Sequence, residues 1–255
     1  MGLMKSLRWS VIAALILGNS LVALAQTEIS VIAPGGIRAA LEQLIPGFES
    51  KTGYKVKASY GSGPGSRQQV ARGDAVDVPI VQTPFPEVLA SGHVVAASAT
   101  PLASVELGIA VKKGASKPDL STPEAVKRTL LAAKSVAYPD PASAAAGINF
   151  DQTLKKLGLV AEMEPKLRRA PNAVGAMKMI AEGEAELGVT FLSEMGDPGI
   201  DIGGPLPREI STPPSLVGFI STHARDPQAA KELLDYLSAA EAAPVYKKLR
   251  MRPGR

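Results

Sequence analysis

The chain has no cysteine, which excludes disulfides, thiolate metal sites and a thiol nucleophile, so stability must come from apolar packing. Aromatic residues make up only 4% of it, and no basic block interleaved with aromatics marks a nucleic-acid surface. Pairs such as Lys155-Lys156, Arg168-Arg169 and Lys247-Lys248 read instead as solvated helix faces. Histidine occurs twice, at His93 and His223. Each sits in an ordinary turn context without a spaced partner, so both are expected at the surface, and zinc ligation or a Ser-His pair has no candidate. The glycine-rich stretch Gly61 to Arg67 lacks the Lys-Ser/Thr that completes a phosphate loop, which argues against nucleotide hydrolysis. No metal and no cofactor is implied.

Long apolar runs are also scarce. The run Val11 to Leu17 follows the basic Lys5 and Arg8 and precedes Ala23-Leu24-Ala25; it is shorter than the ~20 residues of a membrane span and reads as a cleaved export signal covering residues 1–25. The processed chain then begins near Gln26 and is destined for the periplasm. Losing Lys5 and Arg8 lowers the formal net charge from +4 to +2, too small an excess to imply an acidic polymer as partner. What remains, 45% hydrophobic over the whole chain, is a folded composition long enough for two lobes of ordinary size.

Short apolar runs alternate with helical spacing along this stretch. Glu28 to Ala33 and Lys55 to Tyr60 read as strands, with Ile37 to Lys51 between them carrying Leu41, Leu44, Ile45 and Phe48 at helical intervals and Gly53 as the stop. Ser66 to Arg72 reads as a second helix and Val76 to Val81 as a buried strand. After Gly108 to Val111 the pattern recurs: a helix opened by Thr122 and Pro123, a strand Val136 to Tyr138, helices Ala145 to Leu157 and Asn172 to Ala181, and a strand Leu187 to Phe191. A Pro-rich stretch, Gly203 to Pro214, leads to a strand at Leu216 to Ser221 and two final helices, Pro227 to Leu237 and Ala240 to Lys248. Strand-helix alternation of this kind predicts α/β architecture with right-handed crossovers.

Several stretches, in order, resemble the periplasmic molybdate-binding proteins and their relatives: Ala39 to Leu41 with Phe48-Glu49 and Lys51 to Val56; Tyr60 to Gly63 with Gln69, Gly73 and Val76 to Val78; Tyr138 to Ala142 with Gly147; Lys155 to Leu159; Asn172-Ala173 with Ile180 to Gly188; and Asp226 to Lys231 with Leu234, Tyr236 and Leu237. The resemblance implies a two-lobe type II periplasmic binding fold with mixed, mostly parallel sheets. Lobe I would take residues 26–108 and 218–255 and lobe II residues 109–217, joined by crossovers near Leu107 to Val111 and Leu216 to Ile220. Ligands of such folds sit between the lobes, at strand C-termini and helix N-termini, and hinge closure buries them.

The loops expected at that cleft define the candidate site. Gly35 and Gly36 with Arg38 follow the first strand and present backbone N–H groups as an anion nest. Ser62 matches a ligand-binding serine of the resembled family, Ser66 is placed to cap the next helix, and Arg67 on its first turn offers a planar fork suited to a carboxylate. Gln82 and Thr83 follow the third strand, Tyr138 follows a strand of lobe II beside Asp140, and Asn172 opens a helix. Molybdate binders place a hydroxyl where Gly36 stands and a tyrosine where Phe191 stands, so this chain has lost two donors and gained Arg67. That balance favours an organic di- or tricarboxylate over a molybdate-type oxyanion, with a transporter's membrane subunit as partner and the protein itself a monomer. The alternative is an aconitate isomerase, because periplasmic isomerases acting on aconitate resemble the same superfamily. Its base is not evident from sequence, where Tyr138, Asp140, Ser62 and Ser66 are the candidates.

Overall fold

The computed structural model describes residues 27–254, so the expected signal segment and cleavage point lie outside the described residues. In chain order the strands are β1 (Glu28–Pro34), β2 (Lys55–Gly61), β3 (Val78–Gln82), β4 (Thr100–Val105), β5 (Leu107–Lys112), β6 (Val136–Pro139), β7 (Leu167–Ala170), β8 (Leu187–Phe191), β9 (Ile200–Pro205), β10 (Ser215–Gly218) and β11 (Met251–Pro253). The helices are α1 (Arg38–Thr52), α2 (Gly63–Ala71), α3 (Pro86–Ala90), α4 (Pro123–Ala132), α5 (Ala145–Leu157), α6 (Val160–Met163), α7 (Ala173–Glu182), α8 (Pro227–Ser238) and α9 (Ala243–Lys248).

The strands form two mixed sheets, one in the order β11-β4-β10-β3-β1-β2 and the other β7-β6-β8-β5-β9. Parallel pairing is confined to β2-β1-β3 and β7-β6-β8. The remaining pairs are antiparallel, so the parallel share is smaller than expected. The cause is the crossover design: strands that leave one lobe for the other, and the tail that returns, run against their neighbours.

Period-2 alternation explains why each sheet carries helices on both faces. In β1, Ile29, Val31 and Ala33 join one cluster with Leu41, Leu44 and Phe48 of α1 and Leu233 and Leu237 of α8. Ile32, between them, faces the other way and packs with Val70 and Val88. The second sheet repeats the rule, with Val136 and Tyr138 of β6 on one face against Phe150 and Leu154 of α5, and Ala137 on the other against Met177 and Ile180 of α7. Edge strand β2 alternates only between exposed and half-buried positions.

Helix ends follow local chemistry. Gly53, at φ 80°, closes α1 in the left-handed region that glycine adopts without a Cβ penalty. Asp226 caps α8 by accepting from the amides of Gln228 and Ala229, with Pro227 in the first turn. Just upstream, Arg225 meets the buried Asp77, whose carboxylate accepts from Ser30 N at 2.7 Å, Ser30 Oγ at 2.6 Å, Arg225 N at 2.8 Å and Arg225 Nη2 at 2.8 Å. One carboxylate therefore ties β1, the approach to β3 and the start of α8 together.

The chain changes sheet at Glu106 and again between Pro205 and Ser215. Leu107 and Gly108 thus belong to the second sheet and Ser215 to Val217 to the first, whereas the lobe limits expected from sequence fell at 108/109 and 217/218. Pro213 and Pro214 lie before β10, not inside it, so the strand begins as soon as the prolines end. Glu106, the first crossing, is held by Arg252 Nε of β11 at 2.8 Å and, in a longer contact, by Arg208 Nε of the second crossing at 4.0 Å.

Candidate functional site

A cleft of about 650 Å³ opens between the two sheets, where four helix N-termini converge. Gly35 and Gly36 form a 3-10 turn leading into α1, with no side chain capping its amides. Ser62 and Gly63 begin α2, Ala144 and Ala145 begin α5, again without a side-chain cap, and Asn172 begins α7. Helix N-termini carry partial positive charge and unpaired amides, which favours an anion in the space they line.

Two buried polar atoms lack any protein partner among the described residues: Ser66 Oγ and Gln82 Nε2. Gln82 is 2% exposed and lines the cleft. Ser66 is fully buried just behind the wall, its Oγ 3.6 Å from where a Cβ on Gly61 would stand. Leaving a buried donor unmade costs about 1–3 kcal/mol, so these two groups mark this side of the cleft as polar capacity that the protein itself does not satisfy. Gly63 allows this arrangement, because a Cβ there would stand 2.5 Å from Gln82 Oε1 and 3.1 Å from Ala145 of the opposite lobe.

Of the residues singled out from sequence, Gly35, Gly36, Arg38, Ser62, Gln82 and Asn172 line this cleft. Arg38 stands at its rim, its Nε on Glu42 at 2.7 Å and its guanidinium 5.2 Å above the Tyr60 ring. Ser62, not Ser66, caps α2 by accepting from Gly65 N at 3.0 Å, because the helix starts three residues earlier than its spacing suggested. Asn172 caps α7 through Gly175 N at 2.9 Å, which commits its oxygen but not its amide nitrogen.

Three candidates lie elsewhere. Thr83 turns its hydroxyl to Ser215 N, accepting at 2.9 Å, and holds β10 to the end of β3. Tyr138 is fully buried, edge-on to Phe150 at 5.2 Å, and its hydroxyl accepts from Arg169 Nε at 3.1 Å; alternation sends it into the core while the next residue, Pro139, reaches the cleft. Arg67 is turned away by one step of the helix from Ser66. Its fork is taken by Glu87 at 2.8 Å and by the Gln82 carbonyl at 3.4 Å. Arg67→Ala is therefore expected to change ligand affinity by less than about threefold in calorimetry and to lower stability by about 1 kcal/mol or less, the worth of a half-exposed ion pair.

The histidines, expected as unpartnered surface residues, pair with each other: His93 Nδ1 lies 3.0 Å from His223 Nε2, outside the cleft. Among the described residues no group of three or more His, Cys, Asp or Glu is placed to hold a metal ion.

Sequence reasoning placed Phe191 at the end of a strand and assigned nothing to the acidic residue three positions on. The structure puts Glu194 in the cleft wall. Its Oε2 accepts from Thr190 Oγ1 at 2.6 Å, the Phe191 amide donates to the carboxylate, and Glu194 takes part in none of the ion pairs among the described residues. Burial raises its pKa above the ordinary glutamate value, outweighing the two hydrogen bonds. Next to it, Ser193 Oγ donates to the Gly36 carbonyl at 3.2 Å, a direct link across the cleft.

Two lobes of this topology, with uncapped helix starts lining the cleft between them, define the type II periplasmic binding-protein fold. The model of the family described as bacterial extracellular solute-binding protein matches residues 29–249, and the chain belongs to that family. It is 33% identical over 253 residues to an aconitate isomerase from a Pseudomonas species, covering 95% of each chain. It is 29% identical over 238 residues to the molybdate-binding protein ModA of Azotobacter vinelandii, covering 91% of this chain and 93% of that one. Among solved structures, the periplasmic molybdate-binding protein of Azotobacter vinelandii superposes with a TM-score of 0.72 at 22% identity, over 89% of this chain and all of the other.

Proposed function

We propose that this protein works in the periplasm, binds a small organic polycarboxylate in the interlobe cleft, and interconverts the cis and trans forms of aconitate there. The observation that carries the reading is the pair of unpartnered buried groups, Ser66 Oγ and Gln82 Nε2, beside a cleft of about 650 Å³. That volume lies in the range of organic ligands, about 300–1,000 Å³, whereas a four-oxygen oxyanion would leave most of it to water. Helix N-termini on both lobes give several separated carboxylates a donor each, and no hydroxyl stands at Gly36 or Phe191 to crowd them. A carboxyl such as Glu194 on the wall opposes a compact dianion, yet is what proton transfer needs.

The second reading, a binding protein that hands its ligand to a membrane transporter, rests on the family and on the molybdate-binding relatives. Calorimetry with trans-aconitate, citrate, tartrate and molybdate, followed by chromatography of the aconitate sample, separates the readings. Micromolar binding of aconitate with conversion to the other isomer is expected. Aconitate bound but recovered unchanged would leave only the delivery role, and micromolar molybdate with no carboxylate binding would overturn the ligand class.

A further inference from the structure

We infer that Glu194 is the acid-base residue that moves the proton between the two ends of the bound polycarboxylate. The inference rests on the isomerase reading and adds the residue that performs the reaction.

In aconitate the central carbon is double-bonded to one flanking carbon and single-bonded to a methylene at the other. A base that removes a methylene proton sends that C–H pair into a new double bond at the central carbon. The old double-bond pair moves onto the former vinyl carbon and into its carboxylate. Return of one proton to that carbon completes the shift. No atom is gained or lost, no oxidant or second substrate is required, and the base ends as it began. Both reacting carbons are bonded to the same central carbon, so one carboxyl on one face of the substrate is within reach of both.

The structure supplies one group with these properties. Tyr138 is buried away from the cleft and hydrogen-bonded to Arg169. Ser62 is committed to the α2 cap, with its oxygen accepting from Gly65, and Ser66 Oγ has no hydrogen-bond partner among the described residues, so no base activates it. Asp140 receives the Ala142 amide at 2.9 Å in its own turn and does not line the cleft. Glu42 lines it at the rim, where Arg38 neutralises it in an exposed pair. Of the acidic and phenolic side chains that line the cleft among the described residues, Glu42 and Tyr60 lie against Arg38 and Glu194 alone is free of a cation. Thr190 Oγ1 and the Phe191 amide hold the carboxyl in a fixed direction without neutralising it. The same burial that raises its pKa brings it toward the range where a carboxyl both accepts and returns a proton efficiently. Gly35, Gly36 and Ala145 line the same cleft at helix starts that no side chain caps, so their amides are available to stabilise negative charge developing on the substrate carboxylate.

The decisive comparison is wild type against Glu194→Gln and Glu194→Asp, with turnover of trans-aconitate followed by chromatography and binding by calorimetry. The glutamine retains an acceptor for Thr190 and fills the same volume, so its unfolding midpoint should match wild type. Its kcat is expected to fall at least 100-fold while the Kd for aconitate stays within about threefold. The aspartate, withdrawn by one methylene, should retain a measurable fraction of kcat, and both variants should show KM little changed. A Glu194→Gln protein with kcat within about threefold of wild type would overturn the assignment while leaving the isomerase reading intact. A wild-type protein that binds aconitate without converting it would overturn both. Loss of binding together with turnover in the glutamine variant would make Glu194 a ligand contact and not the proton carrier.

Discussion

Asp77→Asn should lower the free energy of unfolding by about 3 kcal/mol at neutral pH, read as a shift in urea midpoint at constant slope. The side chain is 4% exposed and every approach to it is a donor: Ser30 N and Oγ and Arg225 Nη2 on Oδ2, Arg225 N and Nε on Oδ1. An amide in its place turns an N–H₂ against donors that it cannot accept from. Arg225 itself is 60% exposed, so water replaces its lost partner and the pair's Coulomb energy contributes little. The cost falls on the buried acceptor side. Burial of the carboxylate is opposed and outweighed by the bonds from Arg225 and Ser30, which hold its pKa well below the ordinary value. The stabilisation is accordingly complete above the unfolded carboxylate value near 3.9 and is lost as pH falls through the lower folded value. The gap between wild type and variant should be constant from pH 7 to about pH 5 and narrow below about pH 4. A gap that does not change with acidification would show that the charge contributes nothing.

Gly147→Ala should impair both stability and ligand handling. Gly147 sits in the first turn of α5, where an added Cβ would stand 2.7 Å from Pro141 N and 2.9 Å from Pro141 Cα and would also meet the Pro139 carbonyl oxygen. These are backbone atoms, which cannot rotate aside as a side chain would. Overpacking of this kind costs about 1–3 kcal/mol, set against a gain of up to about 1 kcal/mol from alanine's helix preference. The larger effect is on the cleft, because relief of the clash moves the α5 N-terminus and with it Ala144 and Ala145. A displacement on the order of 1 Å at a positioning group can cost about 100-fold in turnover. Gly196→Ala is the matched control, since an added Cβ there meets nothing within 4 Å. Equal turnover in the two variants would remove the positioning role of α5.

The elements with strong local signals were readable from sequence. α5 and β8 begin and end at the expected residues, because each is bounded by a glycine, a proline or a sharp change of apolar period. β4, β7, β9 and β11 were not read. β4 carries Pro101 and small residues, β9 carries Asp201, Gly203 and Gly204, and β11 has three residues. Their pairing comes from neighbours far along the chain, and nothing local announces it. The cleft followed the same division. Loop backbones and Gln82 could be placed from strand ends, whereas the direction of Tyr138 and Arg67 depended on one-residue rotations that spacing does not fix. Glu194 was missed because an acidic residue past a strand looks like a solvated one until the fold buries it.

The two crossings between the lobes are unequal, one a single residue at Glu106 and the other the nine residues between Pro205 and Ser215. A one-residue link spans at most about 3.6 Å, so it acts as a pivot about which one lobe can turn but along which it cannot slide. Any opening of the lobes would therefore be a swing with its axis at Glu106, largest at the far lip and smallest beside the pivot, with the longer link following as slack. The ion pairs of Glu106 with Arg252 and Arg208 brace that link, and because both arginines are more than half exposed, dissolved salt is expected to weaken them.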